Sequence, residues 1–189
     1  MAKNVKLKRM FAKLTNIELN RPTGEEYQKM GKLPVVVVLD NVRSQHNIGS
    51  FFRTSDAFLV EKIILCGICA TPPSPEIHKS ALGAEFTVEW TYVSSSVDAV
   101  KELKSLGYSL IGVEQTHNST SIEHFEMEPS KKYALVFGNE VKGVSQDVID
   151  LCDQCVEIPQ WGTKHSLNVS VSAGIVLWSF LNKRLSQIK

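Results

Sequence analysis

The chain lacks the features that mark several large protein classes. Among its 189 residues no apolar run reaches the ~20 positions a membrane-crossing helix needs. The densest runs are Val35–Leu39 and Ala173–Leu181. The basic start, MAKNVKLKRMFAKL, has neither the apolar core nor the small-residue cleavage site of a secretory leader. There is no internal repeat, no low-complexity tract, no GxGxxG, and no lysine closing the Gly138-x4-Gly143 spacing, where Val144 stands instead. The common dinucleotide and P-loop motifs are thus excluded. Net charge is only +1, and 43% apolar with 22% charged residues is a globular balance. One soluble, cytoplasmic domain with a short appendage is expected.

Cysteine is scarce as well. The four thiols form two CxxC pairs, Cys66/Cys69 and Cys152/Cys155, separated by 82 residues. A zinc ribbon uses far shorter gaps, and the first pair lies in the apolar run IILCGICA. Four reduced, buried thiols and no metal are therefore expected.

Charge is uneven along the chain. Residues 1–32 carry eight basic side chains against Glu18, Glu25 and Glu26, a local +5, while the remainder sums to −4. A basic arm containing Lys6, Lys8, Arg9 and Lys13 on a mildly acidic body suits a polyanion such as nucleic acid, or else is a solvated helix face. Two short helices are predicted there. The first carries Leu7, Met10, Phe11 and Leu14 on one side. The second opens with the capping box Thr23-Gly-Glu-Glu26 and stops near Gly31.

From residue 33 strands and helices alternate. The strand candidates are 35–39, 63–68, 86–92, 109–113, 133–137 and 156–158. The helix candidates are 48–59, 97–106, 146–151 and 167–187. Near-continuous apolar strands between helices indicate an α/β fold, a mostly parallel sheet covered on both faces. Pro72–Pro75 reads as a rigid loop, and 116–132 as the longest and least structured one. In such sheets ligands bind beyond the carboxyl ends of the strands. That rule selects Asp40–Arg53, Gly138–Gly143 and Pro159–Asn168, each dense in Asn, Ser, Gly and charge. His165-Ser166 does not make a hydrolase dyad, because adjacent residues rarely hydrogen-bond in that way.

These segments carry motifs. Asn47-x-Gly49-x3-Arg53, Gly138-Asn139-Glu140-x2-Gly143 and Ile158-Pro159-x2-Gly162-x3-Ser166-Leu167-Asn168-Val169-Ser170-Val171 resemble the three motifs of the SpoU/TrmH family, RNA ribose 2′-O-methyltransferases of the SPOUT superfamily. His78-Lys79-x3-Gly83-Ala84 is similar to the segment between them, and the resemblance spans roughly residues 34–182. It implies a C-terminal trefoil knot, a homodimer with active sites near its interface, and S-adenosylmethionine as cofactor. The final helix, apolar nearly all round, fits burial on more than one side.

By that resemblance Gly138, Ile158 and Leu167, with Val113, contact the cofactor, largely through backbone. Arg53 acts on the 2′-hydroxyl. It either gives up its proton in a dry, cation-crowded site, or stays charged, orients a phosphate and stabilises the forming alkoxide. The second needs no extreme pKa and is the larger effect. Asn47, Glu140, Ser166 and Asn168 complete the polar set, with Ser166 alternatively a helix cap and Glu140 alternatively a support. Gln160-Trp161, Gly162–His165 and Ser172 depart from the common pattern. Trp161 and His165 are candidates for RNA contact, and Trp161 equally for an interface anchor. The expected reaction is ribose methylation of RNA, tRNA favoured over rRNA. The alternative is a non-catalytic RNA-binding module on the same knotted fold.

Overall fold

The structure is a computed structural model, and it describes residues 11–187, with side chains through Ser186. Leu7, Met10, Lys6, Lys8 and Arg9 lie outside the described residues. The described residues up to Met30 and those from Gly31 onward form separate compact units. In the first, the predicted helix over Leu7–Leu14 is not seen in its described part, 11–14. Thr15 and Glu18 instead cap a turn over 16–20, which Asn20, at φ 45°, and Pro22 end. Helix α1, Gly24–Lys29, has the expected capping box: Thr23 N donates to Glu26 and Glu26 N to Thr23.

The second unit holds a seven-stranded sheet in the order β3-β2-β1-β6-β4-β7-β5, parallel throughout. The strands are β1 Leu33–Asp40, β2 Val60–Cys66, β3 Trp90–Val93, β4 Tyr108–Val113, β5 Thr120–Ser121, β6 Lys132–Phe137 and β7 Gln154–Glu157. Helices α2 Gln45–Ala57, α3 Pro75–Ala81, α4 Ser96–Ser105, α5 Gln146–Ile149 and α6 Val169–Gln187 connect or cover them.

Strand β1 pairs with β2 and β6, and Val35–Leu39 are essentially inaccessible, which explains an unbroken Val run where a half-exposed strand would alternate. On one face Val36, Val38, Ala134 and Val136 pack with Ala99, Val100 and Leu103 of α4 and Val148 of α5. On the other, Phe137 meets Phe51 of α2 at 5.1 Å and Tyr133 meets Phe180 of α6 at 5.5 Å. Gly49 lets α2 close on α3. A Cβ there would stand 2.3 Å from the Ile77 carbonyl oxygen, so part of the first motif is a packing requirement.

Four expectations need correction. Residues 86–92 are not one strand, because Ala84–Phe86 form a 3-10 turn whose Ala84 carbonyl accepts from Thr87 N and Val88 N, leaving pairing to begin at Trp90. Pro75 is the first residue of α3, capped by Ser74, rather than the end of a rigid loop. Segment 116–132 contains β5 and buries Ile122, Phe125 and Met127, with Phe125 stacked 5.1 Å from Phe180. Cys66 and Cys69 are buried, but Cys152 and Cys155 only partly so. Burial pushes the Cys66 and Cys152 thiols up to about 12 and Cys69 to about 11, which keeps them protonated. Three strands separate β2 from β7, about 19 Å at the usual spacing, so the two CxxC pairs cannot share an ion.

Helix α6 is buried on one side through Ala173, Val176, Leu177 and Phe180. Its opposite stripe, Val171, Ile175, Trp178 and Leu185, is exposed in the single chain. No helix among the described residues is long and apolar enough to cross a membrane.

Candidate functional site

Two of the selected segments, Gly138–Gly143 and Pro159–Asn168, meet beyond the carboxyl ends of β4, β6 and β7 around a cleft of about 500 Å³, whereas no residue of Asp40–Arg53 lines it. Val113, Gly138, Ile158 and Leu167 all line it, as do Glu140, His165, Ser166 and Asn168.

The floor is the hairpin Gly138–Gly143. Asn139 and Gly143 exchange backbone hydrogen bonds at 2.9 and 2.8 Å, closing a tight loop. The Asn139 side chain accepts from Val141 N and Lys142 N and donates to the Asn41 carbonyl at 2.7 Å. This closure dictates the glycine spacing. A Cβ on Gly138 would fall 2.0–2.3 Å from Gly143 and Val144 backbone atoms. Gly143 sits at φ +68°, with Glu114 Oε2 where its Cβ would be. Glu114 in turn accepts from Val144 N at 3.0 Å and Gln115 N at 2.9 Å.

Glu140 reaches away from the hairpin to the start of α2. It accepts from Arg43 N at 3.0 Å, Ser44 N at 2.9 Å and Asn47 Nδ2 at 2.9 Å. A carboxylate is favoured at a helix N-terminus. Burial raises its pKa, but the hydrogen bonds from Arg43 N, the Asn47 side chain and Ser44 N outweigh that and hold the carboxyl below its ordinary value.

Asn47 is buried and links the motifs. Its Oδ1 accepts from Asn168 Nδ2 at 3.1 Å, while its Nδ2 serves Glu140. Asn168 Oδ1 accepts from Ser170 N at 2.8 Å and Val171 N at 3.3 Å, which makes Asn168 the cap of α6. The capping alternative for Ser166 therefore passes to Asn168, and Ser166 stands at the cleft wall.

Arg53 is not brought to the cleft. It is exposed on α2, six residues after Asn47, and does not line the cavity. At 3.6 residues per turn that offset places it about a third of a turn away from Asn47. Trp161 is 89% exposed and outside the lining, whereas His165 is at the rim with its carbonyl held by Gln115 Nε2 at 2.9 Å. Lys13 is exposed in the first unit.

Three supports went unselected by sequence reasoning: Glu114, Asn139 as a brace, and Asp40. Asp40, 1% exposed, accepts from Asn41, Ser96 and Ser145 N. Its signal was available, a carboxylate directly closing an apolar strand.

The model of the SpoU rRNA Methylase family matches residues 34–178. The chain belongs to that family. It is 34% identical over 150 residues to the 23S rRNA (guanosine-2′-O-)-methyltransferase RlmB of Neisseria meningitidis, covering 79% of this chain and 59% of that protein. The SpoU methyltransferase AviRb of Streptomyces viridochromogenes, solved with the cofactor AdoMet, superposes with TM-score 0.71 at 29% identity, covering 80% of this chain and 60% of that one. The A. aeolicus TrmH/SpoU tRNA modifying enzyme gives 0.77 at 25% identity, over 87% and 83% of the two chains. The chain spans less than two thirds of the length of RlmB and AviRb. For a family member, the coverage begins at the first strand and includes all three motif segments.

Proposed function

We propose that this chain transfers a methyl group from S-adenosylmethionine to a ribose 2′-hydroxyl of RNA, with tRNA favoured over rRNA. The observation that carries the proposal is the joining of all three motifs in one hydrogen-bonded line, Asn168 to Asn47 to Glu140, beside a cleft lined by Val113, Gly138, Ile158 and Leu167.

The cleft suits this cofactor chemically. Apolar Val113, Ile158 and Leu167 offer walls for a flat adenine, and three carboxylates, Glu114, Glu140 and Glu157, line it against Lys142 and His165. That balance favours a cationic ligand over a phosphate. S-adenosylmethionine supplies an electrophilic methyl carbon on a positively charged sulfur. Bound there, the cofactor would give that methyl to the ribose oxygen and leave as the neutral thioether, with the hydroxyl proton taken up by solvent water. Arg53, remaining charged, orients the neighbouring phosphate and stabilises the negative charge growing on the oxygen. Ser166, which lines the cleft, is in this reading a hydrogen-bond partner for the ribose. Asn47, Glu140 and Asn168 are positioning residues, since their side chains serve one another and the helix ends.

Arg53 lies off the cleft of a single chain but on α2, which packs along α6. The exposed apolar stripe of α6 supports a homodimer, within which Arg53 serves a site near the interface. The trefoil knot, the cytoplasmic location, the division into a basic extension (residues 1–32) and a methyltransferase domain (33–189), and RNA contact by Lys6, Lys8, Arg9, Lys13, Trp161 and His165 belong to the same reading. The test is transfer of labelled methyl to unmethylated RNA, separated into tRNA and rRNA and digested to nucleosides. Label in 2′-O-methylnucleosides of the tRNA fraction is expected. Label in rRNA alone overturns the preference for tRNA, and label in bases overturns the reaction. Cofactor binding without transfer to either fraction would favour the non-catalytic module.

A further inference from the structure

The hairpin that floors the cleft also walls a second cavity of about 620 Å³, bounded by the loop after β1, the loop after β2 and Asn139–Gly143. Its chemistry is the reverse of the first. Two large aliphatic side chains stand open there, Ile68 at 63% and Val141 at 78% exposure. Such exposed apolar surface in a rimmed pocket marks a place of contact. Arg43 and Lys142 flank it, and neither cationic head pairs with a carboxylate among the described residues. The nearby carboxylates are already engaged: Asp40 by Asn41, Ser96 and Ser145 N, and Glu140 by Arg43 N, Ser44 N and Asn47.

We infer that this pocket is a second RNA subsite, holding an unpaired nucleotide next to the one that is methylated. The inference rests on the proposed function and extends it to a stretch of substrate that the cofactor cleft does not contact. A base lies flat against Ile68 and Val141, and Arg43 and Lys142 meet the phosphates on either side. The geometry suits a single strand, because a base can lie against these side chains only when unstacked and unpaired. The charge decides the occupant: an apolar floor with two unpaired cations complements a nucleotide and leaves the adjoining acidic cleft to the cofactor. Val141, Lys142 and Gly143 line both cavities, so the two ligands would sit on either side of one loop.

The test uses the full chain, with bulk unmethylated tRNA and a 23S rRNA transcript as probes, and reads affinity across a range of salt. Arg43→Ala and Ile68→Ser are the variants, as neither residue lines the cofactor cleft. Arg43→Ala is expected to weaken RNA binding about tenfold at low salt and to reduce the salt slope by about one, as loss of one phosphate contact does. Ile68→Ser is expected to weaken it about fivefold or more with the slope unchanged, as loss of a base contact does. S-adenosylmethionine affinity stays at the wild-type value in both, which reports that each variant is folded. Wild-type RNA affinity in both variants, or a wild-type chain that binds neither RNA, overturns the subsite. An effect confined to Arg43→Ala also overturns it, leaving a plain phosphate track. RNA binding with the expected variant effects but no methyl transfer would sink the methyltransferase reading and keep the subsite.

Discussion

The hairpin Gly138–Gly143 and the loop 159–168 rim the same cleft and are held in opposite ways. The hairpin is closed on itself, pinned to the first strand's loop by Asn139, to α2 by Glu140 and to β4 by Glu114. In the loop, residues 161–167 are all exposed, with the Gln115–His165 contact as a side-chain anchor before Asn168 caps α6. One side of the cleft is thus built before any ligand arrives. The other is left open to meet a large substrate, and such an arrangement suits a small buried cofactor beside a macromolecule.

The contrast can be broken with one substitution made twice. Gly138→Ala forces a methyl into backbone atoms and should cost at the upper end of ~1–3 kcal/mol, with cofactor affinity falling steeply. Gly162→Ala adds the same methyl where nothing lies within 4 Å and should change stability by less than about 0.5 kcal/mol. Denaturant titration of both measures the difference, and equal losses would remove it.

A smaller effect is expected at Glu140. Glu140→Gln sets an amide donor against backbone N–H donors that now meet a carboxylate, at a cost of about 1–3 kcal/mol. Because the folded carboxyl lies below its ordinary value, its stabilisation is complete at neutral pH and is lost as pH falls below about 4 and through that lowered value. Stability measured against pH should therefore drop more in the wild type than in Glu140→Gln across that acid window. Asn168→Ala removes a cap and should cost about 1 kcal/mol by thermal unfolding. Least disturbed of all is Trp161→Ala, expected to leave the unfolding midpoint in place while weakening RNA binding about tenfold.

Much of this was legible from residue patterns, and the rest failed for identifiable reasons. Val35–Leu39 reads as a central parallel strand because both its faces are apolar. Helix α3 was overlooked although Ser74-Pro75-Glu76 carries a cap, a first-turn proline and an acid. The prolines before it drew the reading to a loop. Phe125 is buried against Phe180 of α6, which lies more than 40 residues further on, and no local window reports that. At the site, the second and third motif segments identify the cleft, and its lining includes every residue matched to the cofactor. What spacing could not disclose is that Asn47 and Asn168, 121 positions apart, bind each other. Arg53 teaches the converse. Helical periodicity alone sets it about a third of a turn off the Asn47 face, so its separation from the Asn47 side chain is legible in the spacing.

The account stands most directly on Arg53→Ala, assayed for S-adenosylmethionine affinity and RNA methylation in one preparation. Unchanged cofactor affinity with methylation reduced about 10²–10³-fold is predicted, the loss expected when a group that stabilises transition-state charge is removed. Methylation at the wild-type rate would contradict the assignment of Arg53 to the reacting ribose.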